Sequence, residues 1–192
     1  MISLNPRPSR AQDNRKAIFY FLLLSFGLLA LTVGCLREIE RGKFVDGRSL
    51  RVGVILVRTN ELAYMDASTQ KHYVVRPKDP ERNMLAITKV TLANYRSARI
   101  SMFIDATSAT VDDEQNKRYG VFDPFKERQE VPAGAKEENV YGQFPLWGNV
   151  DLDRNMQVTG WMVFEIPKES EISRFQWSQG ESIVVRFCEE PC

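Results

Sequence analysis

Beyond the first fifty residues, hydrophobic side chains in this chain tend to recur at every second position, the spacing of a half-buried β-strand. Val52 to Val57 is a β-branched and aliphatic run that gives way to turn chemistry at Thr59-Asn60. His72 to Arg76 reads as a short strand stopped by Pro77 and Pro80. Met84 to Asn94 alternates, with Leu85, Ile87, Lys89, Thr91 and Ala93 on one side and Ala86, Thr88, Val90 and Leu92 on the other. Ile100, Met102 and Ile104 share one face of a further strand. Asp112 to Lys117 is a polar cluster ending in a hairpin turn. Met156 to Ile166 places Val158, Gly160, Met162, Phe164 and Ile166 on one face before Pro167 ends it. Ser182 to Phe187 closes the series with Ile183, Val185 and Phe187 inward. Tyr119 to Gly148 lacks periodicity and carries Pro124, Pro132, Gly134, Gly142 and Pro145. A connection of that length predicts a short helix or strand within it. Short strands separated by turn signals predict an all-β, two-sheet antiparallel sandwich.

The first fifty residues follow another rule. Ala17 to Leu36 carries no charge, with Lys16 before it, Arg37 after it, and Arg7, Arg10 and Arg15 further upstream. As a helix the run measures about 30 Å, the thickness of a bilayer's hydrocarbon core. Three readings fit residues 1–36: an apolar helix retained as a membrane anchor, an ordinary cleaved signal peptide, or a lipoprotein signal cut before Cys35. Val33-Gly34-Cys35 resembles the bacterial lipobox, whereas Thr32 stands where that box usually has Leu. In the last reading the Cys35 thiol carries the lipid. All three place the rest of the chain on the extracytoplasmic side of the cell membrane. Residues 37–50, mixed in charge with Gly42 and Gly47, read as a short tether or fraying helix, leaving 51–192 as the domain.

Composition narrows the partners. Setting 36 of the 192 residues aside leaves enough chain for one core-bearing domain. The 26 basic and 25 acidic residues nearly cancel, and no basic block outside the N-terminus invites nucleic acid. Three cysteines is an odd count for an exported chain. Lipidation of Cys35 would leave Cys188 and Cys192 as a candidate disulfide, closing a loop worth only about 2 kcal/mol. A redox pair and half of a soft-metal site are the alternatives for the same two thiols.

The string Leu85-Ala86-Ile87-Thr88-Lys89-Val90-Thr91-Leu92-Ala93-Asn94 and the later Gly160-Trp161-Met162-Val163-Phe164-Glu165-Ile166-Pro167 resemble paired elements of one group. These are the extracytoplasmic immunoglobulin-like domains of bacterial lipoproteins, a family of unknown function related in fold to a small secreted mycobacterial antigen. The similarity spans roughly residues 50–188. It implies an Ig-like β-sandwich and a cell-envelope address, and carries no catalytic residues to this chain.

Catalytic chemistry finds little support. His72 is the only histidine, too few for a triad or a His-based metal site without unusual partners, and it reads as a strand-edge residue. Asp151-Leu152-Asp153-Arg154-Asn155 mimics the start of a calcium loop, but Met156 and Met162 stand where the turn glycine and the bidentate acid belong. It reads instead as a polar loop, and Asp112, Asp113 and Glu114 as an acidic turn solvating a hairpin. No metal or cofactor is expected. The aromatics Tyr119, Phe122, Phe125, Tyr141, Phe144 and Trp147, interleaved with prolines, are the candidate partner surface. The plainer alternative is that they pack the long connection onto the core. The expected function is a membrane-tethered binding or accessory protein of the envelope, without catalytic activity, whose partner is another envelope protein. A single-span structural subunit of a larger membrane complex and an envelope-polymer hydrolase are the competing readings.

Overall fold

A computed structural model of the protein describes residues 42–135 and 144–187. In chain order its strands are β1 (Lys43–Asp46), β2 (Leu50–Thr59), β3 (Leu62–Asp66), β4 (Lys71–Val75), β5 (Asn83–Asn94), β6 (Arg99–Ile104), β7 (Ala109–Asp113), β8 (Arg118–Gly120), β9 (Arg128–Val131), β10 (Gly148–Asp153), β11 (Gln157–Pro167), β12 (Ile172–Trp177) and β13 (Ile183–Arg186). They form four antiparallel sheets, ordered β1-β2-β5-β11, β13-β12-β7-β8, β3-β4-β9 and β10-β6. The protein is all-β and sandwich-like. No helix among the described residues is long and apolar enough to cross a membrane.

The long strands β5 and β11 pair over eleven residues, from Gln157 opposite Ala93 to Pro167 opposite Asn83. Their alternation divides them between two cores. Ala86, Val90, Leu92, Met162, Phe164 and Ile166 enter the larger core with Val52, Val111, Phe175 and Trp177. Phe164 meets Phe175 edge-on at 6.3 Å between ring centres. Leu85, Ile87, Trp161 and Val163 point the other way, into a smaller core completed by Leu62, Tyr64, Tyr73 and Val75 from the β3-β4-β9 sheet. Burial on both sides explains the unbroken Trp161-Met162-Val163-Phe164 run in an antiparallel strand, where one wet face would demand alternation. Each fully buried side chain of this size contributes about 2 kcal/mol of transfer free energy, so the smaller core is a substantial second anchor.

Polar side chains close the ends of these sheets. Fully buried Asn94 donates to the carbonyls of Ser97 and Leu152, each at 2.9 Å, and accepts from the Ser97 N–H at 3.0 Å. Glu165 accepts from the N–H groups of Lys78 and Asp79 and from the Asn83 amide, holding the chain that enters β5. Glu181 accepts backbone N–H bonds from Arg48, Ser49 and Leu50, tying the β1–β2 turn to the segment before β13. Burial pushes the Glu181 carboxyl up, and these N–H groups outweigh it, so it titrates below the ordinary range. Asp112, only 1% exposed, takes Arg118 Nε at 2.9 Å and Arg174 Nε at 2.6 Å. The hydrogen bond from Arg118, opposed by burial and aided by Arg174, likewise holds Asp112 low.

Several expectations need correction. Within the expected tether, Lys43–Asp46 is the edge strand β1, paired to β2. The two-sheet plan is too simple, because β3-β4-β9 adds cover to the far face of the main sheet. Five further strands, β3, β7, β8, β10 and β12, were not expected; each is short and lacks a long alternating run. The calcium-like stretch is a strand as far as Asp153, turning at Asn155 with φ +66°. His72 lies on β4, the middle strand of its sheet, so it is not at an edge. Asp112 and Asp113 are buried, not solvating the hairpin. The unperiodic 119–148 stretch holds β9 as the expected short strand. The N-terminal apolar segment lies outside the described residues.

Thr88 faces the larger core, and its buried hydroxyl has no hydrogen-bond partner among the described residues. Thr88→Val removes that desolvated hydroxyl at nearly constant volume and should raise stability by about 1 kcal/mol. Asn94→Ala leaves two carbonyls and an N–H without their partner and should cost about 3 kcal/mol. Urea unfolding midpoints with unchanged slope check both. The lowered carboxyls stabilise the fold fully at neutral pH, and this contribution is lost as pH falls through their folded-state values. Asp112→Asn should cost about 1–2 kcal/mol at neutral pH, discounted for the half-exposed arginines. It should also flatten the loss of stability below about pH 5, read from urea midpoints across a pH series.

Candidate partner surface

The outer edge of β11 is where most of the sequence-predicted aromatics assemble. Two short segments cover that edge. Val121 bridges to Phe164, and the Phe122 N–H donates to the Val163 carbonyl at 3.1 Å. Further along, Leu146 N–H donates to Trp161 C=O at 2.9 Å and Trp161 N–H to Phe144 C=O at 3.2 Å. The second segment lies close because residue 160 is glycine: a Cβ there would sit 2.8 Å from the Phe144 carbonyl oxygen. Main-chain groups that an open strand edge would leave unpaired are thereby satisfied.

The six aromatics divide by environment. Tyr119 and Trp147 are half-buried against the larger core, and Tyr119 donates to Asp113 Oδ2 at 2.8 Å. Phe122 packs on the smaller core. Phe125, 42% exposed, and Phe144, 57% exposed, present their rings to solvent. Tyr141 lies outside the described residues. The structure therefore commits three of the five described members to packing and leaves Phe125 and Phe144 outward.

Beneath Phe125 lies a cluster that the sequence did not single out. The Arg128 guanidinium stacks 3.9 Å from the centre of the Tyr73 ring and 5.1 Å from that of Phe125. Its Nη1 also donates to Tyr64 Oη at 3.4 Å and to Asp66 Oδ2 at 3.3 Å. Tyr64 in turn packs edge-on to Trp161 at 5.1 Å and tilted against Tyr73 at 5.7 Å. Strand pairing sets this geometry, since β9 places Arg128 opposite Val75 and β3 places Tyr64 opposite Tyr73. Burial raises the Tyr64 phenol above its ordinary value, with the hydrogen bond from Arg128 opposing it. Ser68 hydroxyl and N–H groups, with Arg128, hold the Asp66 carboxyl low against burial. The phenol stays neutral and the carboxyl charged at neutral pH, so Arg128 is pinned between two fixed partners.

The arrangement suits recognition. A planar cation held between rings, with an exposed ring above it, gives contact area at little ordering cost. No group of three or more His, Cys, Asp and Glu residues among the described residues is arranged to hold a metal ion. Cys35, Cys188 and Cys192 lie outside the described residues, so the lipidation and disulfide expectations fall there too. Tyr73 was visible in the sequence only as a strand residue beside His72, and Arg128 only as one charge in an unperiodic stretch. Their meeting depends on β4–β9 pairing, which no local pattern announces. Compared with known protein families, curated proteins and solved structures, the chain matches none of them.

Proposed function

We propose that this protein is a membrane-tethered, extracytoplasmic binding or accessory protein of the cell envelope. Its sandwich belongs to the Ig-like type, and the edge of β11 engages another envelope protein without performing catalysis. The observation that carries the reading is the Phe125–Arg128–Tyr73 stack: an exposed ring on a pinned guanidinium, seated on a buried aromatic base. Arg, Tyr and Trp are the residues in which interface energy concentrates, and pre-ordering them lowers the entropy lost on binding. Exposed Phe144 extends the same edge. The uncharged run from Ala17 to Leu36, followed by a mixed-charge segment, supports the tether and the extracytoplasmic address.

A photo-crosslinking side chain placed at Phe144 in the full-length chain, in native membranes, tests the surface. It should yield one discrete protein adduct, and Phe125→Ala should reduce that adduct about fivefold without moving the unfolding midpoint. The same probe at Phe44, exposed on β1 at the opposite edge of the β1-β2-β5-β11 sheet, should give none. Equal adducts at Phe144 and Phe44 would overturn the reading. The intact mass of the mature chain tests the tether. Loss of residues 1–34 with a diacylglycerol-sized gain on Cys35 supports the lipoprotein form, and a full-length mass supports a retained anchor.

A further inference from the structure

We propose that the outer face of the β13-β12-β7-β8 sheet binds an oxyanion, a phosphate or carboxylate group, through Arg118 and Arg174. The strand register sets Arg186 opposite Arg174, Arg174 opposite Asp112, and Asp112 opposite Arg118, one row crossing all four strands. Their neighbours Val111, Phe175 and Val185 point into the core, so this row faces away from it. Asp112 is nevertheless 1% exposed, because the two guanidinium groups lie over its carboxylate.

Hydrogen-bond accounting gives the site its polarity. Arg118 gives Nε and Nη2 to Asp112 at 2.9 and 3.1 Å, and Nη2 also to Gln176 Oε1 at 3.1 Å. Arg174 gives only Nε, at 2.6 Å. Both terminal nitrogens of Arg174 and Nη1 of Arg118 have no partner among the described residues. Gln176 accepts on its oxygen, which turns its amide nitrogen out as a donor. Thr110, opposite Gln176 in the next row, has a buried hydroxyl with no partner among the described residues. Gly120 ends that row, where a Cβ would meet nothing closer than the Ala106 carbonyl at 3.9 Å, so the floor is open. Unused donors outnumber unused acceptors across both rows.

Charge agrees. Arg51, Arg99 and Arg58 each meet one carboxylate, Asp46, Asp153 and Glu171 respectively. Among the described residues, Asp112 is shared by two arginines, leaving a net positive charge over its carboxylate. Asp112 opposes an incoming anion, but its oxygens are already occupied and its charge is offset twice. Its role is to fix both guanidinium planes, so that their free edges meet the ligand without further ordering. This face is separate from the β11 edge, and the inference stands whether or not that edge binds a protein.

The test is a titration of the full-length chain in detergent micelles with inorganic phosphate and, separately, acetate, against chloride at matched ionic strength. Backbone amide shifts at Thr110, Asp112, Arg174 and Gln176 report binding. Arg118, 56% exposed, can be replaced without opening the core. Arg118→Gln should weaken phosphate about tenfold, and Arg118→Lys, keeping charge but losing the fork, by about threefold. Arg51→Gln, on another sheet, should change nothing. Phosphatidylcholine vesicles should not compete with phosphate. Competition by vesicles containing phosphatidylglycerol assigns the oxyanion to a lipid headgroup, and its absence assigns a free oxyanion; both support the site. The proposal is overturned if phosphate and acetate move these amides no more than chloride does, or if Arg118→Gln, folded at the titration temperature, binds as tightly as wild type.

Discussion

The pairing of β5 with β11 is the constraint from which the rest of this protein follows. Eleven register pairs hold the two strands together, and hydrophobic cover lies on both of their faces at one end. A strand buried on one side tolerates a polar substitution on the other; here Trp161 to Phe164 has no such side. On β5 the outward positions change from Leu85 and Ile87 to Lys89 and Thr91, and this marks where the smaller sheet stops covering the main one. Beyond that point polar partners take over, as in the Thr91–Thr159 hydroxyl contact at 2.9 Å. The two cores are therefore not independent, because the same four β11 residues feed both alternately.

Two motifs that invited a family comparison acquire a physical reason from this arrangement. Asn94, the polar end of the first, is a buried junction between β5, the turn that follows, and the end of β10. Glu165, the charge within the second, anchors the chain entering β5, while Phe164 and Ile166 fill the larger core on either side of it. Both polar residues satisfy main-chain groups, Asn94 fully buried and Glu165 partly so. Any β-sandwich needing the same closures would favour such residues, so these positions speak to fold before they speak to function.

The legible part of the fold is the part whose information is local. Met84–Asn94, Met156–Ile166 and the Val52 run could be read because long alternation is a property of the strand itself. The Asp112–Lys117 hairpin was visible from its turn chemistry, and Asn116 indeed takes φ +61°. Strands β3 and β12 were missed because they are five and six residues long and too short to show a long alternating run. The candidate surface divides along the same line. Its aromatic rim was legible as composition, whereas Arg128, Tyr64 and Tyr73 meet only through pairing between β3, β4 and β9. The buried state of Asp112 was misread for a related reason. An aspartate beside a turn is ordinarily wet, and only the register of β12 brings Arg174 over it.

The same logic separates the two surfaces by what each has left unsatisfied. At the β11 edge the main chain around Trp161 and Val163 is paired, the cation is enclosed by rings and a carboxylate, and what remains outward is apolar area at Phe125 and Phe144. Such a surface gains by excluding water against another protein surface. On the β13-β12-β7-β8 face the reverse holds: little large apolar area is exposed beyond Val184, and what remains outward is an excess of N–H donors fixed by one buried carboxylate. That surface gains by meeting a compact anion whose oxygens match the guanidinium edges. Both are rigid because their supporting groups, Tyr73 in one case and Asp112 in the other, are set by strand register and held below the surface. A small β domain can thus carry an apolar contact and an ionic one on separate sheets, each pre-ordered by the pairing that folds it.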